Sequence, residues 1–450
     1  MTQLGEAITR YHRILESDAS RNAAWMQQLR EQYKLRQLIV NGRPVSPVLR
    51  PHLITRRQYT NLVKTTEALN SSIDRIREMA LTNPQWMSRM EMLPAEKMLA
   101  TVDPGYRISS VASLIDAQVN NGSIYLTAAQ ADMPHGVVYG DLLSEIFYDA
   151  PPVKEFRKKH KLAKTGGVKP FLSSILKAWK EFGGKRTPNV AILEFRQPFA
   201  TFDSHEYTLL AELFRKQGMQ AEVVSPDQLE YRNGVLRRGE FVIDLVYRGV
   251  RAHEFLMRYD LSHPLVRAYR ENKVCVVNSF RTEVTRKKAL LALLSDETIT
   301  AGFPAAERKA LRESIPWTRV VAQTKTTRNG ETIDLIDFIQ KNREKLVLRP
   351  NEDSSDLHDT DGRRVDDITW ERTLRMALRN PFVVQERLEP HPISFPVDFY
   401  GDLVYRDLNV DVTPHTFLDK IQGCSARVSP STSGFSTTAG LAPAFIIESR

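Results

Sequence analysis

The first hundred residues have a helical pattern of hydrophobic positions. Apolar residues recur at spacings of three and four in LGEAITRYHRIL and in QYTNLVKTTEALNSSIDRIREMA, which is the period of an amphipathic helix. Pro47 and Pro51 lie between the two stretches, where prolines interrupt a helix. The pattern predicts an N-terminal helical region over residues 1–100.

From Thr187 the pattern changes to short apolar runs that alternate with helical stretches. Four runs have the length of buried strands: NVAILEF, AEVVS, FVIDLVY and KVCVVNS. Alternation of this kind is typical of a parallel sheet covered on both faces. Residues 187–280 are therefore predicted to form a Rossmann-like α/β unit. This unit has no G-x-G-x-x-G motif, so dinucleotide binding is not supported.

The positive charge of the chain is concentrated in one segment. The whole sequence has a formal charge of +9, and Lys154–Arg186 contains eleven Lys or Arg against two Glu, so the rest is neutral. We interpret residues 151–186 as a basic linker or helical segment with a solvated charged face. A site for an acidic partner is the alternative. Nucleic-acid binding is less favoured because few aromatic residues lie among the cations.

Composition indicates an ordinary protein of several domains without a membrane span. The chain has 450 residues, with 42% hydrophobic and 26% charged residues, and this length exceeds what one core usually supports. No apolar run approaches eighteen residues, and the N-terminus lacks the apolar core of a signal peptide. Two cysteines cannot form a disulfide framework. We therefore expect a reduced, cytoplasmic protein.

Several weak motifs in a characteristic order carry a family resemblance. They are YRISS followed by IYLTAAQADMPHGVVYGD; DLVYRG with NSFRTEVTRKKALLALL; IPWT with KLVLRP; and FVVQERL followed by CSARVSPSTSGFSTTAG. The chain resembles the circularly permuted ATP-grasp proteins and the glutathionylspermidine synthetases. The resemblance implies a mixed α/β (α+β), ATP-grasp-like fold whose core begins at residues 101–150 and continues in two lobes over 281–450. It also implies ATP, Mg²⁺, a small carboxylate substrate and an amine.

The metal motif of this family is altered in the present sequence. The family pattern is Arg-x-Asp followed by Glu-x-Asn-x-Asp-x-Pro, and the resemblance matches the first part to Arg107 and Ser109. It matches the second part to Ala128, Gln130 and Asp132. Arg107 is then the retained catalytic arginine, while Ser109, Gln130 and Asp132 are weak metal candidates. Because neutral oxygens replace two carboxylates, this alignment removes the charge that Mg²⁺ prefers.

The phosphate-binding stretch is altered as well. In 345-KLVLRPNEDSSDLHDTDG-362, Arg349 stands where the family has a phosphate-binding lysine. The glycine-rich lid is replaced by a stretch with four aspartates and one glutamate before its single glycine, Gly362. Carboxylates near a triphosphate repel it, and the loss of glycine removes exposed amides. We therefore expect this loop to bind phosphate poorly.

The remaining family positions are better matched. In the family the strand PFVVQERL runs along the purine, which makes Gln385, Glu386, Arg387 and Leu388 cofactor-binding candidates; a plain core strand is the alternative. Arg427 matches a catalytic arginine of the family. Asn278 follows the KVCVVNS strand, where α/β sheets bind ligands, and its alternative role is a helix cap.

Three functions are weighed on these grounds. The favoured hypothesis is a binding or scaffold role on an ATP-grasp-like fold with a degenerate nucleotide and Mg²⁺ site, since the altered positions all serve one function. The second is an active ATP-dependent carboxylate–amine ligase, with a carboxylate such as Asp398, Asp407 or Asp411 holding the metal. The third is nucleic-acid binding through residues 154–186.

Overall fold

The computed structural model describes most of the chain. The described residues are 2–17, 19–107, 110–120, 123–131, 134–196, 205–352, 357–389, 391–430 and 439–448. The α-helices are α1 (Gln3–Glu16), α2 (Ala19–Leu35), α3 (Arg56–Thr82), α4 (Pro84–Ser88), α5 (Pro94–Thr101), α6 (Val137–Asp149), α7 (Pro151–Arg157), α8 (Val168–Glu181), α9 (Glu206–Lys216), α10 (Ala252–Leu256), α11 (Pro264–Arg270), α12 (Glu283–Arg286), α13 (Ala289–Leu294), α14 (Glu297–Thr300), α15 (Ala305–Ser314), α16 (Leu335–Lys341) and α17 (Asp367–Ala377). Short 3₁₀ turns lie at Pro226–Gln228, Phe280–Thr282 and Arg343–Lys345.

The strands fall into three main sheets and two small hairpins. They are β1 (Ile39–Val40), β2 (Arg43–Pro44), β3 (His52–Thr55), β4 (Ala112–Asn120), β5 (Ser123–Gln130), β6 (Leu162–Lys164), β7 (Val190–Leu193), β8 (Ala221–Val224), β9 (Glu230–Arg232), β10 (Val235–Arg238), β11 (Phe241–Val242), β12 (Leu245–Arg248), β13 (Cys275–Val277), β14 (Thr318–Val320), β15 (Lys325–Arg328), β16 (Glu331–Asp334), β17 (Leu346–Pro350), β18 (Thr360–Asp361), β19 (Phe382–Glu386), β20 (Ile393–Phe399), β21 (Asp402–Phe417), β22 (Lys420–Pro430) and β23 (Gly440–Ile447). A three-stranded antiparallel sheet, β11-β10-β9, flanks the parallel sheet β13-β12-β7-β8.

The largest sheet joins distant parts of the chain. Its order is β3-β23-β22-β21-β4-β5, with β20 added to β21 and β6 added to β23. Strand β21 pairs antiparallel with β4 as well as with β22. Because side chains alternate along a strand, Asp411 projects to the opposite face from Val410 and Val412. The two faces of this sheet therefore carry different surfaces.

The predicted parallel sheet is present. Its order is β13-β12-β7-β8, and every described neighbour pair in it is parallel. All four residues of β7 and all three of β13 are buried, as expected for strands covered by helices on both faces. The continuous apolar runs in the sequence thus correspond to buried parallel strands, and the fold is mixed α/β as predicted.

A third sheet, called the small sheet below, forms a separate layer. Its order is β14-β19-β17-β18, and all its pairs are antiparallel. Its core contains the fully buried Trp370 of α17 together with Leu346 and Leu348 of β17. Strand β17 alternates buried and half-buried residues, which directs Arg349 to the side opposite this core. The stretch 345–362, called the acidic stretch, therefore begins as a regular strand.

The N-terminal region is helical but also contributes to the largest sheet. Helix α3 starts with a capping box in which Thr55 and Gln58 bond each other's backbone amides. Before it, β3 pairs in parallel with β23. Four residues between two helical stretches carry too weak a periodic signal to be recognised, and tertiary pairing determines this strand. No helix in the described ranges is long and apolar enough to cross a membrane.

The segment 151–186 is part of the packed fold. It forms α7, β6 and α8, and β6 pairs antiparallel with β23. Phe156, Phe171 and Ile175 from its two helices are buried in hydrophobic cores. The prediction of a linker is wrong for this stretch, because its apolar residues are buried while its cations face outward. The predicted helical character is correct.

Candidate functional site

A cleft of about 530 Å³ lies where the largest sheet, the α12–α13 segment and the small sheet meet. Its wall combines strands β4, β5, β21 and β22 with strand β17 and the residues between α12 and α13. The ionisable lining residues are Asp116, His135, Arg251, Arg286, Lys287, Lys288, Arg349, Asp411 and Arg427. Six cations and two carboxylates from separate parts of the chain thus share one cavity, which is a setting for a phosphate-bearing ligand with a metal ion.

Two carboxylates lie on the sheet wall of the cleft. Asp116 of β4 pairs directly with Ala128 of β5, the position matched to a metal-binding glutamate in the family. Burial, followed by the charge of Asp116, raises the pKa of Asp411 to about 6, while Arg427 acts in the opposite direction. Arg427 Nη1 lies 3.4 Å from Asp116 Oδ2, and Thr413 donates to Asp116 Oδ1 at 3.3 Å. The cleft therefore contains two carboxylates on its sheet wall, and one of them, Asp411, is among the alternative metal-binding carboxylates named from the sequence.

Two cations on the opposite wall, Arg286 and Lys287, are paired with carboxylates of the chain. Lys287 Nζ lies 2.8 Å from Glu96 Oε1 and 2.5 Å from Glu352 Oε2, and the Lys287 side chain is 2% exposed. Arg286 also pairs with Glu352. Burial raises the pKa of Glu96, but hydrogen bonds from His253 and Lys287 outweigh it and hold the pKa at about 2. The chain thus supplies its own counter-anions to the cations of this wall.

Arg349 connects the small sheet to the largest sheet. Its Nη1 donates to the carbonyl of Thr127 in β5 at 3.1 Å and to Gln385 Oε1 at 2.9 Å. Its Nε lies 2.9 Å from Asp359 Oδ2, an aspartate of the acidic stretch. The predicted phosphate contact therefore lines the cleft, and its charge is already matched by Asp359.

The other predicted purine-strand residues do not line this cleft. Gln385 is buried, and its amide donates to Thr318 Oγ1 at 2.9 Å. Glu386, Arg387 and Leu388 line a second cavity of about 750 Å³ next to Trp317. Arg387 forms an ion pair with Asp361 at 3.0 Å. Gln385 contacts Arg349, whereas the three residues that follow it line the second cavity, so the predicted cofactor set is divided between two places.

Asn278 directly follows β13, at the strand end predicted for it, but its side chain bonds backbone groups of the protein. Its side chain is fully buried, and Oδ1 accepts hydrogen bonds from the amides of Val111 and Ala112 at 2.9 and 3.2 Å. Nδ2 donates to the carbonyls of Ala112 and Ala131 at 2.5 and 2.6 Å. Ser279 is the residue that caps the next turn. Asn278 therefore joins the parallel sheet to β4 and β5 and has no capacity left for a ligand.

The remaining predicted residues have varied positions. Arg427 lies in the cleft beside Asp116. Arg107 is exposed outside the cleft lining, and its backbone amide donates to Glu181 at 3.3 Å. Ser109 and Asp132 lie outside the described residues, as does the side chain of Gln130, whose backbone ends β5.

Sequence reasoning missed several cleft residues. Asp116 is a lone acid in the apolar run SLIDAQV, and that isolation was the available signal. Lys287 and Lys288 come just before an apolar helical stripe. That position by itself indicates a solvated helix end. His135 carried no signal: its Nε2 lies 3.1 Å from Glu206, which accepts from the amides of Gly136 and Val138 at the start of α6. Only the fold brings Glu206 to this place.

Comparisons with known proteins support the fold. No protein-family model matches the sequence, and no curated protein does so. Among solved structures, a glutathione synthetase-like effector from Globodera pallida in its apo form has a TM-score of 0.62 at 12% identity, over 96% of this chain and 98% of that one.

Two further structures are more distant. A putative gamma-glutamylcysteine synthetase from Methylobacillus flagellatus has a TM-score of 0.41 at 12% identity, over 87% of each chain. An ATP-grasp protein with a RimK domain from Sphaerobacter thermophilus has a TM-score of 0.27 at 14% identity, over 57% of this chain and 89% of that one. Likeness at these identities concerns the fold alone. The protein has the mixed α/β fold of the glutathione synthetase-like effector.

Proposed function

We propose that the protein binds a nucleoside triphosphate weakly in the cleft and acts as a binding or scaffold protein on a degenerate ligase-like site. The observation that carries this proposal is the internal neutralisation of the cleft cations by Glu96, Glu352 and Asp359. An incoming phosphate must compete with these carboxylates for the same cations. Because like charges repel at short range, this competition lowers affinity and removes the excess positive charge that phosphoryl transfer needs.

The residues present fit a magnesium ion. The side chain of Asp411 has no hydrogen-bond partner among the described residues, and it lines the same cleft as the carboxylate of Asp116. Burial, followed by the charge of Asp116, raises its pKa to about 6. Two carboxylates beside phosphate-binding cations are the hard-oxygen set that Mg²⁺ uses. Asp116 and Asp411 would hold the ion, which would supply charge neutralisation for phosphate oxygens. Lys287, Lys288 and Arg349 would orient those oxygens from the other walls.

We further propose that the chain order is a circular permutation of the ATP-grasp arrangement. In support, β4 and β5 precede the parallel-sheet unit in the sequence, whereas β21 to β23 follow the small sheet, yet β4 and β21 are neighbours in one sheet. The two wall carboxylates therefore come from opposite sides of the parallel-sheet unit in the sequence.

The second candidate is an active ATP-dependent ligase that joins a small carboxylate to an amine. The pair Asp116 and Asp411 favours it, because the cleft retains anionic metal ligands. His135 also favours it, because an imidazole held by Glu206 at the cleft wall is placed to accept a proton from an amine. The two candidates differ in turnover and agree on metal-dependent binding.

Calorimetry and phosphate release together test the proposal. Mg·ATP is titrated into the protein with and without EDTA, and phosphate release is followed with a mixture of the standard amino acids as carboxylates and amines. We expect metal-dependent binding with Kd on the order of 0.1 mM or weaker and no release above the protein-free rate. Amino-acid-stimulated release that is lost in Asp411→Asn would establish the ligase instead. Absence of any Mg·ATP heat would overturn both candidates.

A further inference from the structure

A second concave surface lies on the other side of the largest sheet. It is a groove of about 1000 Å³ between the first turns of α3 and the sheet, at the start of α1. Its floor is apolar and is formed by Leu62, Val119, Ile124, Val410 and Val412. Asp411 lies between two of these residues in β21 but projects to the opposite face, into the cleft. The sheet therefore separates this groove, here called the α3 groove, from the nucleotide cleft.

The polar lining of the α3 groove is cationic and has no anionic member. Arg57 and Lys64 belong to α3, and their spacing of seven places them on one helix face two turns apart, roughly 10 Å. Both are exposed, and neither has an ion pair with the described residues. No Asp or Glu lines the groove within the described ranges. Most cations of the nucleotide cleft are paired, so this surface differs from it in having charge available for a ligand.

His52 provides an independent sign of a ligand. Its side chain lines the α3 groove and is only 8% exposed, yet its ring has no hydrogen-bond partner among the described residues. Burial, and secondarily Arg50, lowers the pKa of His52 to about 3, so the ring is neutral at ordinary pH. A nearly buried imidazole normally finds a polar partner. The ring N–H of His52 is therefore available to a hydrogen-bond acceptor that enters the groove.

We propose that the α3 groove binds a medium-chain fatty acid. The apolar floor takes the hydrocarbon, and the carboxylate accepts from His52 in the positive field of the long, exposed side chains of Arg57 and Lys64. A small inorganic anion would leave the floor in contact with water, and a neutral hydrocarbon would leave the cations and His52 without a partner. The groove is large enough for such a ligand. The site is independent of the proposed nucleotide cleft.

Titration calorimetry with decanoate below its micellar concentration tests this proposal on the full chain. We expect saturable binding of decanoate and at least tenfold weaker binding of decanol, which has the same chain without the charge. The double variant Arg57→Gln/Lys64→Gln should weaken decanoate at least tenfold and leave decanol unchanged. The matched control is Lys216→Gln/Arg372→Gln, which removes two exposed cations elsewhere and should leave decanoate affinity unchanged.

Two further variants fix the location. His52→Phe keeps a ring of similar size but removes the donor, and it should weaken decanoate several-fold without changing decanol. Val410→Trp fills the floor and should weaken both ligands, with circular dichroism used to verify folding. Equal affinity for decanoate and decanol in the wild type, equal losses in the double variant and its control, or no binding of either ligand would overturn the proposal.

Discussion

At the scale of residues, the cleft holds two carboxylates, and each disfavours the negative charge of the other. A bound metal ion would compensate this repulsion. Asp411 is half-buried on the cleft wall that also carries Asp116, and burial and this second negative charge disfavour its ionised form more than Arg427 favours it. Active sites concentrate such perturbed groups because the ligand relieves the perturbation. The same carboxylate therefore reduces stability in the empty state and contributes to metal binding.

Replacement of Asp411 by Asn should stabilise the protein at neutral pH. The pKa of Asp411 in the folded protein, about 6, lies above the usual value of about 3.9, so the folded state holds the extra proton and loses this advantage as pH rises through 6. At pH 7.5 we expect Asp411→Asn to be more stable by on the order of 1–3 kcal/mol, with the difference disappearing towards pH 4. Urea unfolding at both pH values measures it.

Asp407→Asn is the matched control, because Asp407 is exposed on the same strand. It should change stability little at either pH. Millimolar Mg²⁺ should stabilise the wild type and not Asp411→Asn. If Asp411→Asn is less stable than the wild type at pH 7.5, Asp411 makes a favourable interaction in the folded protein.

Removal of the charge of Glu352 should strengthen nucleotide binding. Glu352 pairs with Lys287 and Arg286, and a phosphate would use the same donors. Glu352→Gln should therefore increase affinity for Mg·ATP about tenfold, equivalent to 1.4 kcal/mol, as measured by calorimetry. Glu344→Gln, at an exposed position of the preceding turn, should have no effect. Unchanged or weaker binding in Glu352→Gln would show that Glu352 maintains the shape of the cleft and does not compete with phosphate.

At the scale of elements, the acidic stretch combines a strand, a loop and a tightly packed turn. Its glycine, Gly362, donates to the carbonyl of Leu346 and lies where an added Cβ would be 2.1 Å from the carbonyl oxygen of Arg343. Gly362, the single glycine of this altered stretch, thus has a packing role. The turn at Arg343–Lys345 and the start of β17 are held together by it.

Gly362→Ala should destabilise the small sheet. Because the obstacle is backbone, it cannot move aside as a flexible side chain would, and we expect a loss of about 1–3 kcal/mol in the free energy of unfolding. Gly302→Ala is the control, since nothing lies within 4 Å of an added Cβ there. Chemical denaturation followed by tryptophan fluorescence, which reports on the buried Trp370, measures both. Equal stabilities would show that the turn adjusts freely.

Asn278 links two sheets, and its loss should be costly. Its buried amide makes four hydrogen bonds with the backbone of residues in and beside β4 and β5. Asn278→Ala leaves buried donors and acceptors unpaired, so we expect a loss of about 2–4 kcal/mol, seen as a lower Tm. Asn380→Ala, at an exposed site with one bond to Met376, should change Tm little. A small effect at Asn278 would show that water replaces the amide.

At the scale of the whole molecule, the concentrated positive charge of segment 154–186 lies outside the lining of the nucleotide cleft. The exposed lysines of segment 154–186 lie on helices and a strand whose apolar residues are buried in two cores. Within the described ranges, Lys158 pairs with Glu155 at 2.7 Å, and Lys159 and Lys161 have no ion pair. The segment is therefore a fixed basic surface, which is able to attract polyanions without specificity.

Neutralisation of this surface should change polyanion binding and leave stability unchanged. Lys158→Gln/Lys159→Gln/Lys161→Gln should elute from heparin at lower salt than the wild type and unfold at the same temperature, because exposed ion pairs contribute only about 0–1 kcal/mol. Lys97→Gln/Lys216→Gln/Lys325→Gln removes the same charge from scattered positions and should shift elution less. Equal shifts would show that net charge alone governs retention.

The fold could be predicted from periodicity to a large extent, because helices and buried parallel strands have strong local patterns. The apolar runs at Val190–Leu193 and Cys275–Val277 are strands of the parallel sheet. The helical spacing of apolar residues in the stretch that leads up to Thr82 corresponds to α3. The resemblance carried by motif order implied a mixed α/β fold, and the structure has one. Short strands were missed: β3 and β6 have four and three residues, and their pairing with β23 depends on residues far away in the chain.

The sequence by itself determined which residues are apolar and where the charge is concentrated. Tertiary structure alone decided which ionisable groups meet. Arg349 and Arg427 were identified beforehand, but Asp116, Glu352 and Glu96 became part of the site only through contacts between β4, β17 and α5. Electrostatic neighbours act over a few ångströms in space and over any distance in sequence, so local pattern carries no record of them.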